Sequence, residues 1–396
     1  MTYAQDRLVH DADSHLMELD GCLDPWFERS QLDAFHDLPS YRKKLEPPGW
    51  ADTFRRMQDD PAFRADAAEN LLLRKNYQAL GAFRKSDRAH ALDLFGFASQ
   101  LVFTTFCLGN FGLDESGDVE LCYAAASAHN RMMTDFCSVD RRLLSTAYVP
   151  LTDFARARAT AAEAIELGAK ALLVPSRCPL GHSPSHVALD PVWALAQEAG
   201  LPILFHVGGE LKLHQDYFEN GLPRVKDFHG GEENFTSVSF MAIPVSVMQT
   251  LACLIIDGVM DRFPRLKFGA IELGASWLPG WMRYMDSGHR AFYKNEDRLH
   301  RLSAPPSEIV RRQVRVTPYP HEDAAWIISN SGEEICLFSS DFPHVEGGRH
   351  PLKRFDECLA GSPASAVSRF FADNFIDLMG SGLADELRRP QPTIAA

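Results

Sequence analysis

Val9-His10-Asp11-Ala12-Asp13-Ser14-His15-Leu16-Met17-Glu18 near the start of the chain and Leu337-Phe338-Ser339-Ser340-Asp341-Phe342-Pro343-His344 near its end are built alike. Each is an apolar, strand-like run that closes on Asp and His. Over 300 residues lie between them, so only a fold that returns to its own beginning brings them together. Asp and His meeting at one point suit a divalent ion such as zinc, manganese or iron. Side chains of an extended strand alternate with period two, which places Asp13 and His15 on one face. Asp11 falls on the same face in that reading, so the strand's carboxylate ligand is Asp11 or Asp13.

The composition is that of a globular protein: 396 residues, 45% hydrophobic and 23% charged. Length alone suggests two or three domains, but single α/β barrels exceed about 250 residues. The net charge of −13, with no basic cluster to override it, makes nucleic acid and anionic membranes unexpected partners. The eight cysteines contain no CxxC pair, which speaks against a zinc ribbon and for reduced thiols in a cytoplasmic protein. Met1 to Arg7 has no leader-like pattern. The most apolar stretch, Phe240 to Met260, contains Pro244, Gln249 and Asp257 and reads as a buried helix rather than a membrane span.

Eight short apolar or β-branched segments recur: Leu8 to Asp11, Gln100 to Thr105, Leu143 to Val149, Ala171 to Val174, Pro202 to Phe205, Leu266 to Ile271, Gln313 to Thr317 and Ile335 to Ser339. Helical patterns separate most of them: Thr152 to Leu167, a helix opened by Asp190 as N-cap and Pro191, Ser307 to Arg312, Glu322 to Asn330, and Ala364 to Met379. Strands alternating with helices predict a parallel sheet, and eight units predict a (β/α)8 barrel in residues 1–385. Residues 19–95 read as a largely helical insertion after the first strand, 207–236 as a long active-site loop after the fifth, and 386–396 as a tail. Trp50, Phe54, Tyr217 and Phe228 in the two insertions suit an aromatic substrate, or ordinary packing. No GxGxxG follows the first strand, which speaks against an open sheet binding a dinucleotide.

Asp13, His15, His206 and Asp341 all stand at or just past the C-terminal ends of expected strands, and in a barrel those ends share one mouth. Singly, each has a plain structural alternative: Asp caps and turns, and His206 suits a core. The joint pattern points to a site. His344, three residues beyond Asp341, suits acid/base work. Arg177, past the fourth strand, suits a substrate carboxylate, with a surface salt bridge as the alternative. Glu18 suits orienting a metal-bound histidine. Arg131 and Trp277 are further candidates, Trp277 also reading as packing.

The chain resembles the amidohydrolase superfamily, specifically the amidohydrolase-2 group that includes the aminocarboxymuconate-semialdehyde and resorcylate decarboxylases. The resemblance runs from Leu8 to Met379. It is carried by Asp11 to Glu18, Asn130-Arg131, Leu201 to Gly209, Phe263 to Phe268, Glu272 to Pro279 and Ser340 to Gly347. It implies a TIM-like barrel holding one divalent metal, zinc first among the choices, on Asp13, His15, His206 and Asp341. It also implies a small-molecule substrate and a homo-oligomer. Two positions depart from it. Asp13 stands where many members have the first histidine of H-x-H, and Glu272 where many have a strand-six histidine that often serves as base in the decarboxylases. Glu272 thus becomes a candidate ligand or acid/base.

The expected activity is hydrolysis of a small organic, possibly aromatic, substrate by a metal-activated water, with Asp341 moving the proton. The alternative is metal-dependent non-oxidative decarboxylation of an aromatic or unsaturated acid, with Asp341 or Glu272 as proton donor. The missing strand-six histidine inclines the reading toward hydrolysis. A third reading, suggested by the same two departures, is a catalytically silent barrel serving as a binding subunit.

Overall fold

The computed structural model describes residues 2–5, 7–38, 48–107, 113–114, 117–210, 213–223 and 237–389. Among these described residues seven strands, β1 (His10–Leu16), β2 (Ser99–Thr104), β3 (Leu143–Tyr148), β4 (Ala171–Leu173), β5 (Ile203–His206), β6 (Phe268–Ile271) and β7 (Val314–Val316), pair in parallel in chain order. Helices follow most of them, as parallel connections require.

The expected eighth strand is not a regular strand. Residues 335–342 instead bond to both edges of the sheet. Toward β7, Val316 N donates to Ile335 O (3.0 Å) and Leu337 N to Val316 O (2.9 Å). Toward β1, Ala12 N donates to Phe338 O (3.0 Å), Asp341 N to Asp13 O (2.9 Å) and His15 N to Phe342 O (2.6 Å). The curled sheet thus reaches its own first strand. Regularity is lost because side chains take the ladder's groups. Asp11 accepts from Ser340 N (2.8 Å) and Ser340 Oγ (2.6 Å), and Asp341 turns the chain at φ +50°.

A second difference lies in β1. Its register against β2 shifts between Asp11 and Ser14, with one extra residue on β1. Such a bulge reverses side-chain alternation beyond it. His10 and His15 pair with Ser99 and Phe103, which share a face, whereas Asp11 pairs with Gln100 on the other. Asp11 therefore leaves the face of Asp13 and His15. It joins β1, β2 and the 335–342 segment, accepting also from Gln100 Nε2 (2.8 Å). Burial pushes its carboxyl up to about 7 against the pull of these donors. Asp11→Ala strands several buried donors at once, so it is expected to lower stability by about 3 kcal/mol. Urea unfolding measures this, and a change below about 1 kcal/mol would show that Asp11 does not hold the closure.

Two apolar layers surround the strands. Inside, Ala12, Leu101, Phe103, Leu173, Leu204 and Ile271 pack over a floor made by Phe375, Leu378, Met379 and Leu387. Outside, Val102, Trp193, Phe205, Phe268 and Phe338 meet the helices. Leu387 belongs to a short turn, Asp385–Arg388, beneath the sheet.

The helix Phe154–Glu166 is capped by Asp153, which accepts from Arg156 N (2.9 Å). Asp190 is the first residue of its helix rather than the N-cap, which is Leu189. The Asp190 carboxylate pairs with Arg262 instead (2.8 Å). The stretch 364–379 is helical but interrupted by a π turn at Arg369–Asp373. There Phe370 O accepts from Phe338 N (2.8 Å), tying the turn to the closing segment. Pro306–Gln313 and Ala324–Ser331 are regular helices.

Within 19–95, helices run at Arg29–His36, Trp50–Asp59, Pro61–Glu69 and Lys85–Phe95. Trp50 and Phe54 pack on Tyr77, with ring centroids 4.5 and 5.1 Å apart. The insertion grips the Asp341 loop through Asn76 N to Pro343 O (2.9 Å) and Lys75 Nζ to Gly348 O (2.7 Å). In 207–236, residues 211–212 and 224–236, with Phe228, lie outside the described residues, and Tyr217 is exposed. Ser237–Ile256 is long and apolar enough to cross a membrane. It buries Ile243, Val247, Leu251 and Ile255 at helical spacing.

Candidate metal centre

Three strands and the closing loop deliver six polar side chains to one place. β1 supplies Asp13 and His15, β5 supplies His206 as its last residue, and Glu272 follows β6 directly. The loop after residue 340 adds Asp341 and His344. One set of donor atoms, from Asp13, His15, His206 and Glu272, lies within 4.8 Å of one another. A second set, from His15, Glu272, Asp341 and His344, does the same. His15 Nε2 stands 3.2 Å from Asp13 Oδ1, 3.6 Å from Asp341 Oδ1 and 3.9 Å from Glu272 Oε2. His206 Nε2 lies 3.4 Å from Asp13 Oδ1 and 3.4 Å from Glu272 Oε2.

The histidine tautomers decide what this cluster can hold. His15 Nδ1 faces Thr104 O (2.9 Å) and His206 Nδ1 faces Val207 O (3.0 Å). A carbonyl only accepts, so both Nδ1 atoms carry hydrogen and both Nε2 atoms present lone pairs to the carboxylates. Lone pairs facing carboxylate oxygens repel unless a cation sits between them. His15 Nε2 and Asp341 Oδ2 are buried with no hydrogen bond. Burial and the charge of His344 push the His15 imidazole down to about 4, keeping it neutral as a ligand requires. The donors fit a divalent ion.

Both outer carboxylates sit on left-handed backbone, Glu272 at φ +53° and Asp341 at φ +50°. Non-glycine residues adopt this region rarely and at a cost. Around Glu272 the conformation is held by Thr317 Oγ1, which accepts from Glu272 N (2.8 Å), and by Tyr319 OH, which donates to Glu272 O (2.6 Å). Glu322 accepts the N–H groups of Ala275 and Ser276 just beyond. A small pocket opens beside the cluster, lined by Asp13, Glu272, Tyr319, Asp341, Glu346 and Gly347 among others. Gly347 passes so close to Ser340 that a Cβ would lie 1.9 Å from Ser340 O. No other residue lets the loop return there.

His344 Nδ1 pairs with Asp341 Oδ1 at 3.0 Å. Burial lowers its basicity, but the charge and hydrogen bond of Asp341, with the charges of Glu346 and Asp13, together raise it. The remaining sequence candidates sit elsewhere. Arg177 is buried past β4, its N–H on Gly209 O (3.0 Å), and its charge acts on the Tyr148 and Cys122 side chains that bond Asp114. Trp277 donates to Gly274 O (2.9 Å) and packs on Trp281. Arg131 pairs with Glu163 at 2.7 Å. Glu18 does not back a histidine: its carboxylate accepts the N–H groups of Thr105 and Phe106 (3.0 Å each) and Cys107 (3.4 Å). The sequence reading missed Thr105, Thr317, Tyr319 and Glu322, common polar types in no recurring spacing.

Comparison with known proteins agrees with this architecture. Residues 87–378, well over half of the chain, match the family model described as amidohydrolase. An amidohydrolase of Mycobacterium avium subsp. paratuberculosis K-10 superposes with a TM-score of 0.69 at 21% identity, covering 95% of this chain and 100% of its own. The 5-carboxyvanillate decarboxylase of Novosphingobium aromaticivorans DSM 12444, complexed with manganese and 4-hydroxy-3-methoxy-5-nitrobenzoic acid, superposes with a TM-score of 0.62 at 18% identity, covering 96% and 97%. The 2,6-dihydroxybenzoate decarboxylase from Rhizobium gives 0.58 at 15% identity, covering 94% and 98%. No curated protein sequence matches.

Proposed function

The chain belongs to the amidohydrolase family, and from that membership and the donor cluster we propose that it is a metal-dependent non-oxidative decarboxylase of a small aromatic carboxylic acid. The observation that carries the proposal is the Asp341–His344 pair, 3.0 Å apart beside the pocket and next to the metal donors. Such a pair holds a proton where a carbon atom can receive it. Fold relatives whose names specify carboxyvanillate and dihydroxybenzoate decarboxylation support the same choice. The inclination toward hydrolysis rested on the missing strand-six histidine. With Glu272 set among the metal donors, the proton work passes to Asp341 and His344, and that reason falls away.

Asp13, His15, His206 and Glu272 would hold the ion, with Asp341 at its edge. Three carboxylates with two imidazoles form an oxygen-rich set that suits manganese better than the zinc expected from the resemblance. When bound, the ion supplies Lewis-acid polarisation of substrate oxygens. The chain's own residues do the rest. As the carbon–carboxylate bond breaks, its electron pair stays on the ring carbon. That carbon takes the proton delivered by Asp341, recharged through His344, and carbon dioxide leaves with no net oxidation.

A manganese-reconstituted screen of hydroxybenzoic acids against amide, ester and lactone panels tests the reading. Carbon dioxide release from a hydroxybenzoic acid is expected. Turnover confined to the hydrolysis panels would overturn it.

A further inference from the structure

Thr105 follows the last residue of β2 and is not a metal-type donor. Its Oγ1 nevertheless lies 2.9 Å from His344 Nε2, 2.8 Å from Leu16 O and 3.6 Å from Met17 Sδ. A threonine hydroxyl has one hydrogen and two lone pairs. One arrangement satisfies both close contacts: the Leu16 carbonyl can only accept, so the hydroxyl hydrogen goes there, whereas His344 Nε2 can supply a hydrogen of its own. What Thr105 offers His344 is therefore a lone pair, and His344 Nε2 must carry the hydrogen. Nδ1, 3.0 Å from Asp341 Oδ1, is left as the nitrogen that exchanges a proton with Asp341.

We propose that Thr105 is a positioning residue that sets the tautomer and edge orientation of His344 for proton delivery. The inference rests on the decarboxylase reading for its consequence in turnover, but not for its geometry. Stacking on His15, with centroids 3.9 Å apart and planes 30° apart, fixes the plane of the His344 ring. Stacking does not choose which edge of the ring faces Asp341. Thr105 makes that choice, because only Nε2–H satisfies its lone pair.

Thr105 is itself anchored. The buried Glu18 carboxylate receives three successive amides, Thr105, Phe106 and Cys107. Such a nest of N–H groups fixes the backbone to which the hydroxyl is attached. A chain of contacts thus runs from Glu18 through the 105–107 turn to Thr105, His344 and Asp341.

The test pairs nitrogen-15 NMR of full-length, zinc-loaded protein with kinetics of the manganese form for Thr105→Val and Thr105→Ser. The wild type and Thr105→Ser are expected to show a protonated His344 Nε2, and Thr105→Val to lose that pattern. Thr105→Val is expected to lower kcat about 30- to 100-fold with KM changed less than about 3-fold, and Thr105→Ser to recover most of it. A bare Nε2 with hydrogen on Nδ1 alone in the wild type would overturn the proposal. So would an undiminished kcat in Thr105→Val. If no acid is decarboxylated but the NMR pattern follows the hydroxyl, the decarboxylase reading fails and the positioning role of Thr105 stands.

Discussion

Asp341→Asn is expected to reduce carbon dioxide release by about 10³-fold or more while leaving the fold intact. The loss follows from the role: an amide cannot take and return a proton, and general acid–base groups contribute about 10²- to 10⁴-fold. Weaker hold on the ion adds to it. The fold should survive for two reasons. Asparagine tolerates left-handed backbone, the region of Asp341 at φ +50°. The contact of Asp341 Oδ1 with His344 Nδ1 can be kept by the amide oxygen of asparagine. Steady-state kinetics with a thermal melt of the same sample measures both. More than about a tenth of wild-type kcat retained would remove Asp341 from the proton path.

Binding of a divalent ion is expected to stabilise the protein strongly and reversibly. Without a cation, two imidazole lone pairs face the carboxylates of Asp13, Glu272 and Asp341 at 3.2–3.9 Å. That repulsion is relieved only when a positive charge enters. At a manganese concentration 100 times its Kd, ligand binding adds about 2.7 kcal/mol, worth roughly 3 °C in Tm for a protein of this size. A chelator should reverse the shift. His206→Ala, which removes one lone pair from the centre, should abolish most of it. An unchanged melting curve across zinc, manganese and iron would argue for the silent-barrel reading.

What the sequence made legible follows a physical line. Asp13, His15, His206 and Asp341 were readable because each follows an apolar strand pattern, and strand ends in a barrel converge. Asp11 was misplaced because the β1 bulge, a single extra residue against β2, leaves no mark in the pattern of residue types. The closing segment at 335–342 was read as a strand because its residues are apolar. Its irregularity comes from Asp11 and from Phe370 O, partners far off in the chain. Glu272 was visible as a departure from the family pattern, but its left-handed backbone depends on Thr317 and Tyr319, contributed from beyond β7. Arg131 and Trp277 attracted notice by residue type, and the fold uses both elsewhere. Thr105 had no signal at all, since a hydroxyl becomes informative only when its acceptors are known.

The most direct measurement follows the fate of the carboxylate carbon and the proton together. A hydroxybenzoic acid carrying carbon-13 in its carboxylate is incubated with manganese-loaded enzyme in deuterium oxide. Labelled carbon dioxide and one deuteron on the vacated ring carbon should rise in equal amounts, and both should vanish in Asp341→Asn. Turnover of an ester, lactone or amide with no labelled carbon dioxide from any acid would contradict decarboxylation at this centre.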